Sequence, residues 1–366
     1  NGKGKELSAL EYSNLAEKEP DFEKRKEIYL EALNKYPTTG WLWWNFTYFL
    51  HFIKKDFNDL DSYYQKALEF NKNEAGIIGN YAIFLNEIKN DIVKAEEYYL
   101  KTVTLDPNHA NGNANYAHFL KNVKKDYDKA EEHYLKALAI DPTHANGNCN
   151  YAVFLKEIKK DYDKAEEHYL KALDAYPNHA KSNGNYANFL KEIRKDNIKA
   201  EDYYLRAIAS DSNDSTNTCN YAIFLKDVKK DYDKAEDYYL KAIALKPTNS
   251  VNITNYAYFL KEIKKDYDKA EEHYLKAIAV DPFRANNFGS YAIYLKGIKK
   301  NSIKAKEYYL KAISIEPNHA NFNGNFAQIL LENGEIENAR AYIDIALKNS
   351  KENGLLIELW FYRYAH

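Results

Sequence analysis

The stretch "NYAVFLKEIKKDYDKAEEHYLKALDAYP", residues 150–177, decides the fold. Its first part places Tyr151, Ala152, Phe154, Leu155 and Ile158 at steps of one, three, four and seven, the buried stripe of an amphipathic helix. Its second part opens on Asp161, a residue type that caps helix N-termini. Asp163 and Glu166 follow where the helix dipole favours negative charge. Tyr162, Ala165, Tyr169, Ala172 and Leu173 form a second helical stripe, which Pro177 stops. The small Ala152 and Ala165 let the two helices cross closely.

Just before this stretch, residues 145–149 read "ANGNC". Asn146, Gly147, Asn148 and, at the join, Asn150 each cost a helix interior roughly 0.5–1 kcal/mol relative to alanine. So costly a start to a helix with a sound core stripe points to a use for its other face.

The same pattern recurs along the chain. "NYA" stands at Asn80, Asn115, Asn150, Asn185, Asn220 and Asn255, with variants at Asn45, Ser290 and Asn325, and every interval is 35 residues. The block "DYDKAEEHYLKALAIDP" at Asp126 has counterparts at Asp161, Asp231 and Asp266. A fixed period of this length is the mark of a repeat architecture in which each unit is one supersecondary element.

At these residues the chain resembles the tetratricopeptide repeat family. Counted from Ala145, the family's small residue matches Ala152, the alanine, aromatic and second alanine of its second helix match Ala165, Tyr169 and Ala172, and its closing proline matches Pro177. Units here run one residue longer than the family's usual length, the extra residue falling in the "KEIKKD" turn. The last unit drops it and has the family's turn glycine at Gly334. The large apolar residue usual early in the first helix is polar at Asn113, Asn148 and Asn183. The resemblance implies an all-α, right-handed superhelical solenoid of helix-turn-helix repeats. The expected organisation is a single solenoid over 1–366: a degenerate unit at about 5–39, where Arg25 replaces the alanine, eight 35-residue units over 40–319, a 34-residue unit over 320–353, and an orphan helix over 354–366. Stacked neighbours in such an array bury one continuous core.

The resemblance also implies that the first helices line the concave surface, through the second, fifth, sixth, ninth, twelfth and thirteenth positions of each unit. Position six holds Asn45, Asn80, Asn115, Asn150, Asn185, Asn220, Asn255, Ser290 and Asn325. Position five is small from Gly79 onward, as at Ala114, Cys149, Gly184, Cys219 and Gly324, and position two is often polar, as at Asn111 and Asn146. An amide has donors and an acceptor, enough for both groups of a peptide backbone, and a small neighbour is expected to let that backbone approach. The pattern resembles the asparagine ladder in the tetratricopeptide arms of O-GlcNAc transferase and kinesin light chain, which hold extended peptides. The competing reading is that these amides only bond between neighbouring helices or survive from recent duplication. Their persistence at Asn45 and Asn325, in divergent units, speaks for groove use. A lysine row, Lys121, Lys156, Lys191, Lys226, Lys261 and Lys296, runs beside Glu157, Glu192, Asp227 and Glu262 and reads as a solvated helix end.

Composition removes other classes. Lys and Arg number 52 against 54 Asp and Glu, for a net charge of −2, without the basic excess of a nucleic-acid footprint. No apolar run reaches the ~20 residues of a membrane span. The expectation is no nucleic acid and no membrane. Two cysteines, Cys149 and Cys219, form no disulfide framework, which favours the cytoplasm; an extracellular chain would need a leader that has been removed. The chain starts at Asn1 and contains no methionine, as a processed chain or a fragment would. No Gly-rich loop has phosphate-binding context and no metal-ligand spacing occurs. His109, His144, His179 and His319 fall one per turn, too dispersed to share a metal. No cofactor, no metal and no catalytic activity are expected.

The ends carry a second theme. "WLWW" sets Trp41 and Trp44 at groove positions with Trp43 beside them, and the last helix shows Leu356, Leu359, Trp360, Phe361 and Tyr364 on several sides. Exposed apolar patches mark interfaces or truncation. The leading function is a non-enzymatic scaffold whose Asn-lined groove holds an extended segment of a protein or peptide. The alternative is a structural subunit that polymerises head to tail through these two ends.

Overall fold

The computed structural model describes residues 7–350. The proposed closing helix at 354–366, with Leu356, Leu359, Trp360, Phe361 and Tyr364, lies outside the described residues. Those residues form twenty α-helices and no strand. They fall into two compact units, one ending at Tyr186 and the other beginning at Ala187, each a run of helix pairs.

The pair at 145–175 shows how sequence becomes structure. The first helix, Ala145–Phe154, is capped by a histidine: His144 Nδ1 accepts from the Gly147 N–H at 3.2 Å. His109 and His319 cap their helices in the same way. The turn histidines are therefore helix-start residues. The second helix, Tyr162–Ala175, is capped by the Asp161 carboxylate, which accepts from the Lys164 N–H at 3.2 Å.

Between the two helices the extra residue is absorbed by widening. Leu155–Lys159 continues the first helix as a π-turn, Lys160 takes the left-handed conformation with φ 57°, and the Asp161 N–H reaches back six residues to the Leu155 carbonyl. In the last unit, which lacks that residue, Gly334 holds the left-handed position and the Glu335 N–H reaches back five residues to Leu330. Lysine at such a φ costs roughly 1–2 kcal/mol that glycine avoids.

Ala152, Phe154, Ala165, Tyr169 and Ala172 are fully buried. The core closes only with a neighbour: Tyr134, from the preceding second helix, packs its ring 5.7 Å from both Tyr151 and Phe154. Burial of a side chain such as Phe154 contributes roughly 1.5–3 kcal/mol, which a lone helix pair could not collect. Successive first helices also touch, as Ala110–Phe119 does Ala145–Phe154 and Ser215–Phe224 does Ser250–Phe259. In each compact unit the first helices thus make one face and the second helices another.

Candidate functional site

On the first helices, asparagines two residues apart meet opposite surroundings. The earlier row, at position four, is Asn113, Asn148, Asn183 and Asn323, all buried. Each Nδ2 donates to the proline carbonyl of the preceding turn, at 2.9 Å for Asn148 to Pro142 and 2.8 Å for Asn183 to Pro177. Each also donates to the carbonyl of the capping histidine. On the other side of the amide, Asn113 Oδ1 meets His133 Nδ1 at 2.9 Å and Asn148 Oδ1 meets His168 Nδ1 at 2.8 Å. Where Tyr342 stands in place of that histidine, Asn323 Oδ1 is buried without a partner. The polar departure from the family pattern is therefore a structural staple between turn and helix.

The later row, at position six, faces outward from the first helices. Asn45, Asn80, Asn115, Asn185, Asn220, Asn255 and Asn325 are half-buried. Asn80, Asn115 and Asn220 have no side-chain hydrogen bond among the described residues. Others reach a neighbouring repeat: Asn45 Nδ2 donates to Ser13 Oγ at 3.2 Å, Asn185 to Cys149 Sγ at 3.3 Å, and Asn255 to Cys219 Sγ at 3.6 Å. Asn325 meets the buried Tyr309 hydroxyl. Asn150 differs, being buried, with its Oδ1 accepting from Lys181 Nζ at 2.8 Å. At position two, Asn111 and Asn146 are exposed at the turn edge of this face. Asn111 Oδ1 is 2.7 Å from His144 Nε2, and Asn146 borders a 580 Å³ hollow with Asp141, Thr143, Tyr176 and His179.

Two details of the sequence reading are corrected. Position five does not open the surface to a ligand backbone, because its small residues are buried against neighbouring helices. A Cβ added at Gly79 would lie 3.4 Å from the Thr102 side chain, and one at Gly289 would strike the Phe322 ring at 2.3 Å. The lysine row is not a solvated helix end either. Lys121 is only 6% exposed and Lys261 is buried too, because the π-turn holds position twelve against the next repeat. Lys121 Nζ pairs with Glu157 at 2.7 Å, Lys226 with Asp227 at 3.0 Å, Lys261 with Glu262 at 2.8 Å and Lys296 with Glu332 at 2.9 Å. Lys226 and Lys261 also flank the Tyr258 ring at 4.9 and 4.8 Å. A lysine repeated beside a carboxylate at a fixed position was the only sign of this row in the sequence.

Burial also sets the histidines. His51, which touches the Tyr64 hydroxyl at 2.7 Å, is pushed down to about 4, and His118 falls to about 4 through burial and the nearby Lys181 and Lys121 ammonium groups. Both are neutral rings at pH 7. Cys219 is raised to about 11 by burial, so its thiol is un-ionised and acts as an acceptor for Asn255. Among the described residues no group of three or more His, Cys, Asp or Glu could hold a metal, and no helix is long and apolar enough to cross a membrane. In each compact unit this face offers neutral amides at position six and ion-paired lysines at position twelve.

The aromatic cluster near the start is mostly packed. Trp43 Nε1 donates to the Pro37 carbonyl at 2.7 Å and its ring stacks on Tyr63. Trp44 lies against Gly76, and Trp41 is exposed.

Profiles described as tetratricopeptide repeat match residues 133–167 and 308–341, and, for a second profile, 114–144, 229–249, 254–284 and 294–319. A Sel1 repeat profile matches 83–106 and 189–212. No curated protein sequence matches the chain. Among solved structures, yeast Tom70 is similar with a TM-score of 0.61 at 16% identity, over 98% of this chain and 88% of that one. A human IFIT1 dimer with m7Gppp-AAAA is similar with a TM-score of 0.63 at 18% identity, over 99% of this chain and 90% of that one. These likenesses establish the helical-repeat fold.

Proposed function

Because the chain is a tetratricopeptide repeat protein, and so a protein-interaction scaffold of a generally non-catalytic kind, we propose that within a compact unit its position-six asparagines hold an extended peptide segment of a partner protein. The observation that carries this reading is the contrast between the two asparagine rows. Two residues earlier, amides of the same kind are buried and bonded to the turn, whereas Asn80, Asn115 and Asn220 stand half-exposed without a partner among the described residues. An amide that stabilises neither its own helix nor a neighbour, in a position where asparagine costs helix stability, is best accounted for by a ligand. The ion pairs flanking the row carry equal numbers of each sign, which suits a neutral backbone more than a charged polymer. The reading includes no catalysis, no cofactor and no metal.

The test is a library of unstructured random peptides selected on the full chain. Binding of the selected peptides is then measured against Asn80→Ala/Asn115→Ala, both in the first compact unit. Loss of two amide bonds worth about 0.5–1.5 kcal/mol each predicts at least a roughly fivefold weaker affinity. Undiminished affinity would make the row structural.

A further inference from the structure

The second helices carry a longer period than the first. At the second residue of these helices, four repeats have aspartate: Asp128, Asp163, Asp233 and Asp268. Every third repeat has a β-branched aliphatic residue there: Val93, Ile198 and Ile303. These side chains are 80%, 86% and 76% exposed. The position is open in the aspartate repeats too, where the Asp233 side chain is 98% exposed. The residue just before has diverged to Ile92, Asn197 and Ser302, while the aliphatic side chain has stayed. Locally it is a poor choice twice over. It gives up a carboxylate that the helix N-terminus favours, and it places a β-branched residue in water. A break of local rules repeated at a fixed interval calls for a compensating contact.

A second row lies on the same face. Seven residues on, two helical turns away, stand Leu100, Leu205 and Leu310, each about half-exposed like the leucines that the intervening repeats carry at Leu135, Leu170, Leu240 and Leu275. Within the unit from Ala187 onward, the helices Asn197–Ser210 and Ser302–Ile315 thus each present an exposed aliphatic pair, Ile198 with Leu205 and Ile303 with Leu310. Such pairs in register exceed the scattered single residues normal on a monomer.

We propose that this outer face, built on Ile198, Leu205, Ile303 and Leu310, docks a second copy of the same chain. Two features select that occupant. A surface that covers both pairs must itself present apolar groups three repeats apart, and this chain does. The rim of the first pair is of mixed charge, with Asp202 and Arg206 joined at 2.8 Å beside Leu205 and Lys199 joined to Asp196 at 3.4 Å beside Ile198, whereas the helix of the second pair has Asn301 as its cap and carries Lys304, Lys306 and Lys311. A twofold axis that sets one pair against the other brings the acids Asp196 and Asp202 of one copy towards the lysines Lys304 and Lys311 of the other. This contact uses the second helices, so it is independent of peptide capture on the first.

The test introduces the aspartate that sister repeats already carry, so the variant keeps a side chain this fold accepts at that position. Sedimentation velocity of the full chain over a wide concentration range is compared with Ile198→Asp/Ile303→Asp. The wild type is expected to dimerise with rising concentration. The variant should raise the dissociation constant by about tenfold or more while its melting temperature is unchanged or higher. A wild type that is monomeric at every concentration, or a variant that dimerises undiminished, overturns the proposal.

Discussion

The two asparagine rows are the same residue on the same helices, two positions apart, and they do different work. Asn148 is enclosed, with its Nδ2 tied to the Pro142 and His144 carbonyls and its Oδ1 to His168. Asn115, on the preceding helix, stands half-exposed with no such ties among the described residues. Residue identity therefore does not assign a role in a repeat protein; the face of the helix does. A step of two residues turns a helical side chain through more than half a revolution, from the turn-facing side to the open one.

Acid should act on the enclosed row through its histidine partners, and more strongly on desolvated histidines elsewhere on the first helices. His51 and His118 sit at about 4, and burial also lowers His133 and His168, the partners of Asn113 and Asn148. These folded values lie below the unfolded value near 6.5. The neutral rings thus stabilise the fold fully above pH 6.5, and that contribution is lost as pH falls from 6.5 towards 4. At about 1.4 kcal/mol per unit, His51 alone supplies about 3 kcal/mol. Urea melts at pH 7 and pH 4.5 would show the loss, and His51→Phe would remove part of the pH dependence. A second fall follows at lower pH as carboxylates such as Asp56, held at about 2 by Lys26, become protonated.

Next in size is the staple itself. Asn148→Ala takes the side-chain donor from the Pro142 carbonyl and the amide partner from His168, and should cost roughly 1–3 kcal/mol in thermal melts. Asn115→Ala, two positions along the preceding repeat unit, should change stability by less than about 0.5 kcal/mol, the usual range for surface substitutions. Equal costs at the two sites would erase the distinction.

Much of this was legible beforehand. The 35-residue step, the Tyr151–Ile158 and Tyr162–Leu173 stripes and the Asp161 cap all follow from local periodicity and capping chemistry. The staple was visible only as a departure at Asn113, Asn148 and Asn183, because its partners are turn carbonyls that sequence does not mark. The buried lysines were misread because the π-turn that carries Lys121 inward depends on how one extra residue is absorbed. The small residues at position five were read as space for a ligand, when Gly289 makes room for Phe322 of the next repeat.

The smallest effect concerns that extra residue. Lys160→Gly relieves the left-handed strain but adds freedom to the unfolded chain, so the net gain in chemical denaturation should be within about 1 kcal/mol. A loss would show that the Lys160 side chain contributes to the fold.

The most direct measurement follows the side-chain amide NMR signals of a nitrogen-15-labelled chain as a peptide selected from the random library is added. The account predicts that the Asn80 and Asn115 NH2 signals shift while those of Asn113, Asn148 and Asn183 stay in place. Saturable binding that leaves the position-six amides unmoved would contradict it.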